Sequence, residues 1–276
     1  MLFRSLGYSQ PLSQPLAEDG ERHTSGDSTV LNAHDEALYR AETGELIQAL
    51  LSPSNQFTNS DTYDIKGLTM QTTEQLQQLK LGMEGLVDDG VCGDVYETGI
   101  WRGGTAIFMV QTLRKYERLR GSNCHRNFWF FDSFEGFKGA TLTDELLSNY
   151  LAKNIYTAPL ESVTKSFESF GIVDDASVHL VKGYFEETMP SLNVSTPIAL
   201  LRLDGDLYSS TNVVLEALYD KVMVGGAIVI DDYNWRPSST AKNTKVCREA
   251  VDEFRKSQAI AAPMTNYFGN PAWYKE

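Results

Sequence analysis

From about residue 73 onward the chain alternates between two hydrophobic rhythms. Short, near-continuous apolar runs occupy 93–97 (GDVYE), 127–132 (NFWFFD), 178–181 (VHLV), 198–204 (IALLRLD) and 227–231 (AIVID). Between them lie longer stretches in which apolar residues recur every three to four positions. Continuous apolarity is the mark of strands covered on both faces of a parallel sheet, and the intervening period is that of crossover helices. The pattern therefore predicts an α/β fold with helices over 73–87, stopped by Asp88-Asp89-Gly90, and over 106–119. Upstream the pattern is weaker. Residues 32–51 carry apolar positions at Ala37, Leu38, Ala41, Leu46, Ile47, Leu50 and Leu51, an amphipathic helix interrupted or weakened at Gly44. Residues 52–69 have the composition of a loop, of a length that is often either a lid or disordered, and 1–30 read as a mobile polar arm. No repeat of fixed period occurs.

Composition narrows the function. The 276 residues carry 24 basic and 37 acidic side chains, a net charge of −13, which repels phosphate backbones and anionic lipid surfaces. No apolar run approaches the roughly 20 residues needed to span a bilayer, and the N-terminus makes a poor secretory signal. Three cysteines, Cys92, Cys124 and Cys247, are too few and too scattered for a disulfide scaffold or a thiolate metal cluster. The expectation is a cytoplasmic protein that binds neither nucleic acid nor membrane.

Four of the apolar runs end in an acid: Glu97, Asp132, Asp204 and Asp231. Open α/β sheets bind ligands at the carboxyl ends of their strands, so these acids should converge on one rim. The first run leads into ETGIWRGGT (97–105), whose glycines permit a tight turn ahead of a helix N-terminus. Its spacing is G-x-x-x-G-G, which misses the dinucleotide fingerprint G-x-G-x-x-G. An ordinary strand-to-helix turn would read the same way. Asp132, at the second strand end, stands where such folds hold ribose hydroxyls, although an aspartate capping the next segment is the plain alternative. Asp204, Asp231 and Asp232 close consecutive core strands and should lie side by side. Clustered carboxylates require something cationic among them, and oxygen ligands without His or Cys suit Mg²⁺, Mn²⁺ or Ca²⁺. The four histidines have no ligand spacing; His34 is an outside candidate for substrate contact.

In this order, the motifs ETGIWRGGT, FDSFEGF, VKGYFEETMP, LRLDGDLYSST, GGAIVIDDY and CREAVDEFR make the chain resemble the macrocin O-methyltransferase family over about 66–276. That resemblance implies S-adenosylmethionine- and Mg²⁺-dependent methylation of a hydroxyl on a small natural-product acceptor, a sugar or vicinal diol. It also implies a class I methyltransferase, Rossmann-like fold: a seven-stranded, mostly parallel sheet with an antiparallel last strand near 272–275, helices on both faces. Residues 1–65 would form an N-terminal arm and helical lid, 66–276 the methyltransferase domain, and the enzyme a homodimer. By the same match Glu97, Thr98, Gly99, Trp101, Gly103, Thr105, Asp132, Ser133, Gly183 and Tyr184 would bind the cofactor. Asp204, Asp231 and Asp232 would be the metal ligands, with Asp204 also the catalytic base; should Asp204 not be the base, Asp206 or the segment around His34 and Glu36 is the next place to look. Two other readings compete. A nicotinamide-dependent oxidoreductase lacks its glycine fingerprint here, and a non-catalytic cofactor-binding protein would be expected to have lost site residues.

Overall fold

The computed structural model describes residues 33–53, 67–137, 156–235 and 245–276. The arm at 1–30 and most of the loop at 52–69 lie outside them. Six strands form one sheet: β1 (Asp94–Thr98), β2 (Phe128–Asp132), β3 (Val178–Lys182), β4 (Ile198–Leu203), β5 (Val222–Ile230) and β6 (Ala272–Tyr274). Their order is β3-β2-β1-β4-β5-β6, parallel throughout except that β6 pairs antiparallel with β5. Seven strands were expected; six are present among the described residues, and Thr265 adds an isolated antiparallel bridge to Ala272. Pro263 cannot donate to a ladder, which suits a segment that pairs at one point only. Strand order reverses between β1 and β4, the crevice where doubly wound sheets take their ligands.

Both faces of the sheet are covered. On one side pack α1 (Ala33–Leu51), α2 (Thr73–Asp88), α3 (Gly104–Arg120) and α4 (Leu160–Ser169). The other side holds the turn α5 (Phe185–Thr188), α6 (Tyr208–Leu218) and α7 (Cys247–Ser257). Alternate strand residues serve opposite cores. Val95, Leu200 and Val229 face the first, whereas Tyr96, Leu201, Ile228 and Ile230 face the second.

The helix α1 runs unbroken through Gly44, which is exposed, with nothing near its Cα for a side chain to meet. Its buried face also differs from the expected apolar stripe. Tyr39, Thr43, Ile47 and Leu50 turn inward, whereas Leu38 is half exposed. Thr43 can lie inward because its hydroxyl donates to the Tyr39 carbonyl at 2.7 Å. Ile47 and Leu50 join the same core as α2 and α3, so this helix is built into the sheet domain. Its first turn carries His34, which is exposed and lines neither of the cavities described below.

At the amino ends of the strands, Cys92 and Cys124 are joined by a disulfide, a pairing that the cysteine count did not anticipate. Their 32-residue separation hid a close approach, because each precedes one of two neighbouring strands. Cys247 is a buried free thiol.

Arg114 on α3 fixes the entry to β3, donating to Asp175 at 2.5 Å and to the Ser177 hydroxyl at 2.6 Å. That bond holds the Asp175 carboxyl down to about 2. Asp175→Asn should lower stability by about 1 kcal/mol at pH 7. Since the folded value lies below the unfolded one, the contribution is complete above about pH 4 and is lost as the pH falls through 2. Urea unfolding should therefore show the gap between wild type and variant narrowing at pH 3. A gap independent of pH would assign the effect to something other than the ion pair.

Candidate active site

Strand register brings the site together. Glu97 on β1 lies directly opposite Arg202 on β4, and Leu203 opposite Ile230 sets Asp204 beside Asp231. Arg202 is 1 % exposed, a cation inside an otherwise apolar run. Its Nη1 donates to Glu97 Oε1 at 2.5 Å and to Asp204 Oδ2 at 2.7 Å, and its Nη2 donates to Asp231 Oδ1. Sequence reasoning missed this residue. Its signal was present, a charged side chain in the middle of IALLRLD where continuous burial was expected.

The centre remains richer in acid than one guanidinium can balance. Asp204, Asp231 and Asp232 each offer an oxygen within 4.8 Å of the others. The second oxygen of Glu97 and Oδ2 of Asp232 are buried without a hydrogen-bond partner among the described residues. Burial pushes the Glu97 carboxyl up to about 7, against the pull of Arg202. Burial and then Asp231 raise Asp204 well above the carboxylate range; burial and Asp206 do the same for Asp232. Asp206 is raised by burial and by Asp204. For Arg202 burial works against the charge, but Asp231, Asp204 and Glu97 outweigh it and keep the guanidinium protonated. Oxygen donors clustered in this way could hold a divalent cation.

Two cavities open on this rim. One, of about 260 Å³, runs along the ends of β1, β2 and β3 and is lined by Gly99, Trp101, Asp132, Ser133, Gly183, Tyr184 and Phe185. The other, of about 330 Å³, lies over β4 and β5 and is lined by Gln71, Glu97, Thr105, Asp231, Asp232, Trp235 and Lys245. Met70, Trp101, Phe137, Tyr156, Asp204, Asp206 and Leu207 belong to both walls. Of the sequence-predicted cofactor residues, Glu97 and Thr105 thus face the second cavity. Thr98 and Gly103 line neither. Thr98 is buried, with its hydroxyl directed at the Arg202 carbonyl, and Gly103 starts α3 at φ +85° where a Cβ would strike Phe167.

Loops at the rim are held in unusual conformations. Trp101, Phe134 and Asp206 all have positive φ, at +47°, +55° and +57°, a state that costs a non-glycine residue of order 1 kcal/mol or more. Asp132 supplies part of the restraint. Its Oδ2 accepts from the Ile100 and Trp101 amides at 2.9 and 3.0 Å, and its Oδ1 from Phe134 at 2.8 Å. Gly99, at φ +89°, has no room for a side chain, since a Cβ would lie 1.8 Å from the Asp204 carbonyl oxygen. The glycine-rich turn and the acidic centre are therefore in van der Waals contact through backbone.

Comparison with known proteins now decides the family. Residues 17–276 match the family model described as macrocin-O-methyltransferase (TylF). The chain belongs to this family. It is accordingly an S-adenosylmethionine-dependent O-methyltransferase, and the match extends upstream of residue 66 to take in α1. The 8-demethyl-8-(2,3-dimethoxy-alpha-L-rhamnosyl)-tetracenomycin-C 4'-O-methyltransferase of Streptomyces olivaceus is 35% identical over 211 residues, 75% of each chain. Mycinamicin III 3''-O-methyltransferase of Micromonospora griseorubida is 34% identical over 209 residues, 74% of this chain and 76% of that one. Among solved structures the O-methyltransferase NovP superposes with a TM-score of 0.70 at 27% identity, covering 86% of this chain and 99% of that one. The class I methyltransferase fold expected from the motifs is the fold observed. No helix among the described residues is long and apolar enough to cross a membrane.

Removing Arg202 should be costly, because it leaves Glu97 and two aspartates buried without their counter-charge. Arg202→Met is expected to lose about 3 to 5 kcal/mol of unfolding free energy. Chemical denaturation that shows a loss under about 1 kcal/mol would mean that the acids do not depend on it.

Proposed function

We propose that this methyltransferase acts on a hydroxyl of a small glycosidic or vicinal-diol natural product, with Mg²⁺ held by Asp204, Asp231 and Asp232. The observation that carries the metal reading is the convergence of those three carboxylates with one buried oxygen left unpartnered. Sugar acceptors are supported by the relatives, one of them named for 4'-O-methylation of a rhamnosyl-tetracenomycin. The cavity along β1 to β3 suits the cofactor: Asp132 is the acid positioned for ribose hydroxyls, and Gly99, Trp101, Ser133, Gly183 and Tyr184 complete its lining. The cavity over β4 and β5 would take the acceptor, its walls offering both acids and the broad faces of Phe137, Tyr156 and Trp235.

Each residue then has a task. S-adenosylmethionine supplies a methyl group whose departure leaves a neutral thioether, so no residue is needed to protonate a leaving group. The demand falls on the acceptor hydroxyl, which is protonated at neutral pH. A divalent cation held by the three aspartates would lower that hydroxyl's pKa and fix its orientation. Asp204 is a poor choice for the base, because its carboxylate is committed to Arg202 and to the ligand set. Asp206 is better placed. It lines both cavities, and its carboxylate stands outside the hydrogen bonds by which Arg202 engages Glu97, Asp204 and Asp231. In this reading Asp206 accepts the hydroxyl proton, and Trp101, in both walls, excludes water between cofactor and acceptor.

Turnover on a panel of glycosides should stop in EDTA and return with Mg²⁺. Against that background the two aspartates separate. Asp206→Asn should lower kcat by about 10²- to 10⁴-fold while Mg²⁺ and S-adenosylhomocysteine bind as before. Asp204→Asn should instead weaken Mg²⁺ binding. Full turnover without metal would remove the cation from the mechanism, and wild-type kcat in Asp206→Asn would return the base to Asp204.

A further inference from the structure

Asp231 is held more tightly than its neighbours in the acidic centre. Besides Arg202, two side-chain amides donate to its Oδ1: Gln71 through Nε2 at 2.9 Å and Asn270 through Nδ2 at 2.5 Å. The two amides are also bonded to each other, Asn270 Nδ2 to Gln71 Oε1 at 3.2 Å. Gln75 braces the pair from behind, donating to Asn270 Oδ1 at 3.2 Å while its own carbonyl accepts from the Thr72 amide in the cap of α2. Gln71 and Asn270 are each only 7% exposed. They come from opposite ends of the domain, one just before α2 and the other just before β6, and neither belongs to a motif that the sequence singled out.

All three donors converge on a single oxygen of Asp231. Lone pairs on Oδ1 are saturated, the rotation of the carboxylate is fixed, and Oδ2 is the oxygen left to a cation. Ligating carboxylates are commonly held in this way by outer hydrogen bonds. Resting on the metal reading above, we propose that Gln71 and Asn270 are positioning residues for Asp231 that set the affinity of the acidic centre for its divalent cation. They act through Asp231 and need touch neither the metal nor the substrate. Segment 67–71 is in turn tied to the glycine-rich turn. Leu68 accepts from the Gly104 amide at 3.0 Å, and the Thr69 and Thr105 hydroxyls are bonded at 2.9 Å. Gln71 therefore bridges the backbone next to the cofactor cavity and the centre over β5.

The test is calorimetric titration of Mn²⁺ and, separately, of S-adenosylhomocysteine into wild type, Gln71→Met and Asn270→Leu. These replacements keep bulk and remove the donors. They are made separately so that one misfolded variant leaves the other to decide, with S-adenosylhomocysteine affinity as the check on folding. Expected is a 10- to 100-fold loss of Mn²⁺ affinity in each variant, with S-adenosylhomocysteine affinity unchanged. A general loosening of the domain would weaken both ligands together and would overturn the positioning role. Wild-type Mn²⁺ affinity in a variant that still binds S-adenosylhomocysteine would overturn it too, while leaving the metal site standing. Failure of the wild type itself to bind Mn²⁺ would remove the metal reading and the positioning role with it.

Discussion

One buried guanidinium organises the candidate active site. Arg202 sits in the central strand of a parallel sheet, where a lone charge would be prohibitive, and it is tolerated because Glu97, Asp204 and Asp231 surround it. Dependence runs both ways. Without the cation these three acids could not be packed together, and without them the cation could not be buried. Register makes the arrangement possible, since Glu97 and Arg202 are cross-strand partners and Asp204 and Asp231 follow the next pair along. With Asp232 added, the acids outnumber the one arginine among them, and that surplus is the ground for the proposed divalent-cation site.

The second constraint is proximity of two cavities through a thin wall. Gly99 leaves the turn after β1 close enough to Asp204 that no side chain fits between them. Trp101, Asp204 and Asp206 face both spaces. Methyl transfer requires two reactants in line at short range, and holding them in adjoining pockets with a shared wall is a direct way to meet that need. Positive φ values at Trp101, Phe134 and Asp206 fall in the loops after β1, β2 and β4, so three of the five described non-glycine residues with this backbone stand at the rim where the cavities open.

Much of this was legible in the residues. Apolar runs located the strands because a doubly covered parallel sheet admits little else, and the acids ending four of them pointed to one rim. Charge pattern alone, however, did not reveal that a buried arginine stands among those acids. The R in IALLRLD was the clue, an ionic residue at a position that had to be buried. Gln71 and Asn270 left no such trace, since amides in loops are ordinary and their meeting at Asp231 depends on segments 199 residues apart. Helix α1 shows a different limit. Its inward face uses Tyr39 and Thr43, whose polar groups disguised them as surface, and the apolar Leu38 points outward. The Cys92–Cys124 bond was hidden by sequence distance in the same way.

Cofactor and cation are proposed to occupy neighbouring cavities, with Arg202 beneath the proposed metal ligands. Anomalous diffraction from crystals grown with S-adenosylhomocysteine and Mn²⁺ tests it directly. The predicted result is one strong manganese peak among Asp204, Asp231 and Asp232, with the cofactor product against Asp132 and Ser133. A peak elsewhere, or none while the aspartates remain closed around Arg202, would contradict it.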